Sequence, residues 1–384
     1  VNDGKKLILF LSTYPPRECG IATFTQDLIT QLQKNDRFRI GIVAVSDADY
    51  TYPSEVVYKI EQYTEAAYKK AADWINNSGA SLLMIEHEYG IFGGRDGGYI
   101  LQLVKRLSLP YEITLHTVLP DPRPVQLTII RELAAGCRHV VTMSPLTVGI
   151  LQDVYKVPSE KIFVNHHGIP EIPVPSRAEL KKEFGVEGRI IVSTFGLLSP
   201  GKGIEYGLRA VAKVARKHPE ILYFVLGRTH PIVQKRYGEK YREKLENIVA
   251  GCHCENNVRF VNKYLSKEDI VRYLQASDMY LTPYLGKDQA VSGTLAYAIG
   301  YGRVIISTPY MYAKSMLADG RGLLGNFRDA ASLAACITRV IEHPDEKERM
   351  EKQTLLLGRE MRWSRVAEKY DALFTKDSET GKNA

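Results

Sequence analysis

What most constrains this chain is a rhythm that occurs twice: a short unbroken apolar run, a turn holding glycine or polar groups, then a stretch with helical spacing. Leu7 to Leu11 is the first such run. A strand that is apolar at every position is buried on both faces, as happens in parallel sheets flanked by helices. Ile21 to Leu32 follows with helical spacing. Ile40 to Val45, Ser81 to Ile85, Glu112 to Leu115 and His139 to Thr142 are further strand candidates, with helical stretches such as Thr64 to Trp74 and Val125 to Leu133 between them. The alternation predicts a parallel sheet with helices on both faces.

Gly168 to Pro175 holds three prolines and reads as a linker. A second series then begins. Its strands are expected at Ile190 to Phe195, Leu222 to Leu226, Val258 to Val261, Met279 to Thr282 and Val304 to Ser307, with helices such as Ile204 to Arg216 and Lys267 to Gln275. A charged, helical tail starts at Asp345, and Asp377 to Ala384 is expected to fray. At 384 residues the chain has room for two domains.

Several function classes are disfavoured. Apolar residues make up 45% and charged residues 25%, a globular balance that argues against disorder. No apolar run reaches the roughly 18 residues that cross a bilayer. Lys5-Lys6 precedes an apolar run too short for a signal peptide, so a first strand is expected there, and a place in the cytoplasm or at the inner face of its membrane. Five scattered cysteines do not suit a disulfide framework, and Cys252-His253-Cys254 lacks the spacing of a zinc site. The net charge of +7 would assist contact with phosphates, nucleotides or an anionic membrane surface. Its cations are spread out rather than gathered in a stripe, which argues against a nucleic-acid partner.

In open parallel sheets ligands bind beyond the carboxyl ends of the strands, so the loops there carry the information. The first, Thr13 to Ala22, brings Arg17 and Gly20 to a helix start. It lacks the G-x-G-x-x-G fingerprint of a dinucleotide site. Glu86-His87-Glu88-Tyr89-Gly90 mixes charges, aromatics and glycine, a composition suited to sugar hydroxyls and ring faces, or to an ordinary turn. His116 ends the Glu112 to Leu115 run, where it is a ligand-facing residue or a satisfied core histidine. In the second half, Lys202 stands between glycines in the turn Gly196 to Gly203, a composition suited to a phosphate at a helix start. Ser292-Gly293-Thr294 opens another helix, as an N-cap or as a second anion site.

Taken in order, these features resemble the large family-4 group of retaining glycosyltransferases with the GT-B architecture. The resemblance runs through the Gly20 loop, His116, the Gly196 to Gly203 turn, Tyr280-Leu281-Thr282-Pro283, Gly302 to Thr308, Gly320 to Leu324 and Trp363 to Ala367. It implies two Rossmann-like doubly wound α/β domains facing a cleft. Residues 1–170 plus 360–384 would form the acceptor-side domain, completed by a C-terminal crossover helix that Trp363 opens. Residues 171–359 would form the donor-binding domain. This sequence departs from the pattern in two places. Leu197 stands where the group has an arginine, and Gln289 and Tyr297 stand where it has the E-x7-E carboxylates, the first of which lies by the donor sugar and the second on the ribose.

The resemblance implies a metal-independent enzyme with no cofactor, transferring a hexose from a nucleotide-sugar donor to a carbohydrate or lipid-linked acceptor. Carried onto this chain, the catalytic group is His116, Lys202 and Asp288, the last adjacent to the first missing carboxylate. Donor contacts fall on Gly20, Gly196, Arg228, Ser292, Gly293, Thr294 and Tyr297, and acceptor contacts on Arg17, His87, Glu88 and Tyr89. Two alternatives stay open: a sugar phosphorylase of the same fold, and a non-catalytic sugar- or nucleotide-binding protein.

Overall fold

The computed structural model describes residues 4–380, with side chains as far as Thr375. The chain divides into two compact units, residues 1–168 with 363–384 and residues 169–362. The divide therefore falls at 168/169 and 362/363, not at 170 and 360. Ile169 explains the difference: its N–H donates to Met361 O at 2.8 Å, and its side chain packs on Gly300. The expected linker is thus anchored within the second unit from its second residue, Ile169, onward. Of the expected frayed end, Asp377 to Thr380 belongs to the last helix, Trp363–Thr380, and the rest lies outside the described residues.

In the first unit β1 (Leu7–Ser12), β2 (Arg39–Ser46), β3 (Val56–Glu61), β4 (Leu82–His87), β5 (Tyr111–Leu115), β6 (Val140–Thr142) and β7 (Ile162–Val164) form one sheet in the order β3-β2-β1-β4-β5-β6-β7. Every pairing is parallel. The sheet's central strands carry the apolar runs because both of their faces are covered. The Trp363–Thr380 helix packs in this unit: Phe374 meets Phe10 edge-on at 6.2 Å, and Tyr370 Oη pairs with Thr114 Oγ1 at 2.8 Å. Gly168 lies against Trp363 so closely that a Cβ there would sit 2.2 Å from the indole.

In the second unit β8 (Ile190–Phe195), β9 (Ile221–Leu226), β10 (Val258–Val261), β11 (Met279–Thr282), β12 (Val304–Ser307) and β13 (Gly322–Leu324) run parallel in the order β10-β9-β8-β11-β12-β13. Alternate residues feed two cores. Ile191, Phe224, Tyr280 and Ile305 lie in one, and Val192, Tyr223, Leu281 and Ile306 in the other. The Ile204–Ala215 helix buries Ile204, Leu208, Val211 and Val214, the helical spacing read from the sequence. Each sheet reverses its strand order once, between β1 and β4 and between β8 and β11, and such switch points are where open sheets bind ligands. No helix among the described residues is long and apolar enough to cross a membrane.

Candidate active site

The loops that follow β8 and β11 flank the second unit's switch point. Their backbones are forced together by glycine. Gly203 has φ of +60°, and a Cβ there would lie 2.1 Å from Pro283 O. Gly227, with φ of +137°, backs onto Gly196 so closely that a Cβ would lie 2.0 Å from Gly196 O. Backbone bonds complete the packing: Leu198 N–H donates to Arg228 O and His230 N–H to Leu198 O, both at 2.9 Å.

This packing aims Lys202 at the start of the helix Gly293–Gly300. Lys202 Nζ donates to Tyr284 Oη at 2.8 Å and lies 4.0 Å from the centroid of the Tyr284 ring. Tyr284 Oη pairs with Thr294 Oγ1 at 2.7 Å, and Thr294 Oγ1 lies 3.2 Å from Ser292 Oγ. Ser292 is the helix's N-cap and accepts the Leu295 N–H at 3.3 Å. A half-buried ammonium and a helix start thus meet at one point, a combination that attracts a phosphate. His230 stands nearby, its pKa lowered by burial and then by Lys202. The Arg228 guanidinium lies 5.7 Å from the Tyr264 ring centroid. Asp288 is half-buried in the loop after β11, and its neighbour Gln289 donates through Nε2 to Val291 O at 2.9 Å.

Tyr297 does not join this group as a surface contact. It is 9% exposed, belongs to a hydrophobic core and meets Phe195 edge-on at 6.1 Å. Five consecutive positions from Leu295 to Ile299 are buried, so the helix presents little besides its first turn to a ligand.

In the first unit, Gly20 opens the helix Gly20–Lys34 behind the N-cap Cys19, whose Sγ accepts the Ala22 N–H at 3.3 Å. Gly20 is exposed and the space beside it is open. His116, at the carboxyl end of β5, is buried edge-on against Phe24 at 4.8 Å. Its Nε2 lies 2.8 Å from Glu86 Oε2. Glu86 has no exposed surface, and its other oxygen has no hydrogen-bond partner. Glu86 was not among the expected site residues. The signal for it is positional: β4 is two residues longer than the apolar run, and Glu86 pairs in register with Thr114, two residues before His116.

The longer strand also corrects His87. Instead of lying in a loop beside an acceptor, it is the last residue of β4, with no exposed surface, stacked on Phe92 at 5.7 Å. Tyr89 is 8% exposed and edge-on to it at 5.1 Å. Glu88 is half-buried and accepts from Thr117 Oγ1. Arg17 is committed as well, donating to Val45 O at 3.1 Å and Gln62 Oε1 at 2.9 Å beside Asp47 at 3.4 Å. It fastens the loop after β1 to the ends of β2 and β3, which takes it from the expected acceptor contacts.

Buried histidines make this unit sensitive to acid. Burial, helped by His116, pushes His87 down to about 3, and burial pushes His167 down to about 4. Both folded values lie below the ordinary 6.5, so the unfolded chain binds the extra protons. The stability these rings contribute is fully present above pH 6.5 and is lost as pH falls toward 4 and then 3. The slope is at most about 1.4 kcal/mol per pH unit for each ring. Thermal melts between pH 7.5 and 4 should show a falling midpoint that flattens in His87→Phe. A midpoint independent of pH over that span would refute the assignment.

The Cys252-His253-Cys254 run forms no metal cluster; among the described residues there is no group of three or more His, Cys, Asp or Glu side chains able to hold a metal ion. Residues 176–355 match the family model described as glycosyl transferases group 1. The chain is 21% identical over 342 residues to the α-monoglucosyldiacylglycerol synthase of Streptococcus pneumoniae, covering 81% of this chain and 73% of that protein. Its fold is similar to sucrose-phosphate synthase from Thermosynechococcus elongatus, with a TM-score of 0.78, 15% identity, and coverage of 98% of this chain and 100% of that one. It is also similar to Anabaena HepE solved with UDP and glucose, with a TM-score of 0.74, 15% identity, and coverage of 97% and 100%. Residues 176–355, just under half of the chain, are thus similar to the glycosyl transferases group 1 family, and the chain has the GT-B fold.

Proposed function

We propose that the protein is a retaining glycosyltransferase that moves a hexose, glucose or mannose, from a nucleoside diphosphate sugar to a carbohydrate or lipid-linked acceptor. The observation that carries this reading is the meeting of Lys202 with the Ser292–Thr294 helix start at the second unit's switch point. Breaking a sugar–phosphate bond builds negative charge on the departing diphosphate. A fixed ammonium and helix amides stabilise that charge more in the transition state than in the ground state. The departing phosphate takes the acceptor's proton as the new bond forms on the same face of the sugar. The donor would sit on the second unit and the acceptor on the first, where Glu86 holds the ring of His116 in one orientation. The likeness to HepE with bound UDP and to a synthase of glucosylated diacylglycerol supports a uridine nucleotide and a lipid-linked acceptor, and the net charge of +7 suits an acceptor presented at an anionic membrane surface.

One observation favours a sugar phosphorylase instead: Tyr297 lies in the core, so the position that would carry a ribose-binding carboxylate offers none. Ligand binding separates the two. A ligand at 100 times its Kd adds about 2.7 kcal/mol to stability, raising the midpoint of a unit this size by roughly 5 to 10 °C. We expect that rise with UDP or another nucleoside diphosphate, with a chelator present as well as absent, and turnover unchanged by the chelator. A rise with inorganic phosphate and none with nucleotides would establish the phosphorylase. Activity lost to chelator and restored by magnesium or manganese would overturn metal independence.

A further inference from the structure

We propose that Tyr284 is the positioning residue of the phosphate site: its hydroxyl ties Lys202 to the helix start and sets where the ammonium stands. The proposal rests on the donor reading above. Within the turn Gly196 to Gly203, Lys202 is the only cation, because Leu197 follows Gly196. A lysine is a point charge on a flexible stem, and a site that depends on one must hold its end in place.

Tyr284 does this from two sides. Its hydroxyl oxygen accepts from Lys202 Nζ at 2.8 Å, and the ammonium also lies 4.0 Å from the ring centroid. The ring is itself held: Tyr284 is 1% exposed and stacks on Tyr310 with centroids 5.5 Å apart and planes at 18°. Hydrogen-bond direction follows from chemistry. An ammonium has no lone pair, so the tyrosine oxygen must accept from Lys202, which leaves its own proton available to Thr294 Oγ1 at 2.7 Å. Thr294 Oγ1 in turn lies 3.2 Å from Ser292 Oγ, the helix's N-cap. One buried hydroxyl thereby joins the ammonium to the side chains that cap the helix, and linked hydrogen bonds of this kind strengthen one another. Tyr284 touches no reacting atom; it acts through Lys202, whose ammonium its hydroxyl and ring hold in place.

Tyr284→Phe keeps the stacked ring and removes only the hydroxyl, so the fold should survive. UDP and pyrophosphate binding would be measured calorimetrically for the wild type, Tyr284→Phe, Lys202→Ala and the double variant, with thermal midpoints as a folding check. We expect Tyr284→Phe to weaken UDP binding about tenfold, the size of one hydrogen bond to a charged group. Because the hydroxyl works through Lys202, adding Tyr284→Phe to Lys202→Ala should weaken binding by no more than about twofold beyond Lys202→Ala. A merely structural tyrosine would instead give additive losses, and that result overturns the proposal, as does wild-type affinity in Tyr284→Phe. If Tyr284→Phe melts far below the wild type, Thr294→Val tests the same chain from its other end, with the same loss and the same non-additivity against Lys202→Ala. Failure of the wild type to bind either diphosphate would overturn the donor reading itself, and the positioning role with it.

Discussion

Lys202→Ala should lower turnover about 10²- to 10³-fold while leaving the unfolding midpoint close to that of the wild type. The size follows from the role. Removing one preorganised donor from a developing oxyanion costs about 2.7–4 kcal/mol in the transition state. The selectivity follows from the surroundings. Lys202 is half-buried, and its ammonium is held by Tyr284 through the hydroxyl and the ring. Neither core cluster of the second unit contains it. Lys202→Arg should recover only part of the activity, since a planar fork reaches farther and cannot accept the same place over the Tyr284 ring. Initial rates under saturating donor, compared with the midpoint of each variant, make the measurement. Turnover within threefold of the wild type would mean that the turn is structural and that diphosphate charge is met elsewhere.

The parts of the site that could be read in the sequence are those whose chemistry is local. The turn Gly196 to Gly203 and the Ser292 cap are legible because glycine at positive φ and a serine before a helix state their conformation within a few residues. The central strands are legible because burial on both faces leaves unbroken apolar runs. The edge strands of the first sheet are not: β3 alternates exposed with covered positions and fully buries only Ile60, and β7 has three residues, all half-buried. Polar residues that finish a buried strand are also hidden. Glu86 and His87 look like a loop because they interrupt the apolar run, yet β4 continues through them and buries both. The reach of Tyr284 to Lys202 spans 82 positions and depends on the pairing of β8 with β11, a relation that no local pattern encodes.

Tyr297→Glu restores the residue that the E-x7-E pattern carries, and it should destabilise the protein by about 4 kcal/mol or more at neutral pH without improving nucleotide affinity. Tyr297 lies among core residues and faces Phe195. A glutamate there would stand among apolar core side chains, where burial favours its neutral form. Holding a carboxyl of ordinary pKa about 4.3 neutral at pH 7 costs about 1.4 kcal/mol per unit, or about 3.7 kcal/mol, before the lost ring packing is added. The sign with pH is diagnostic. A carboxyl whose folded pKa is raised is least costly below its unfolded value, so the deficit relative to the wild type should shrink as pH falls from 7 toward 4.5. Tyr297→Phe, which keeps the ring, should cost no more than about 1 kcal/mol. Paired melts of wild type, Tyr297→Glu and Tyr297→Phe at both pH values, with UDP titrations of each, test the argument. A Tyr297→Glu protein that melts with the wild type and binds UDP more tightly would place position 297 at the ribose, and would show that the helix Gly293–Gly300 turns its second turn to the ligand.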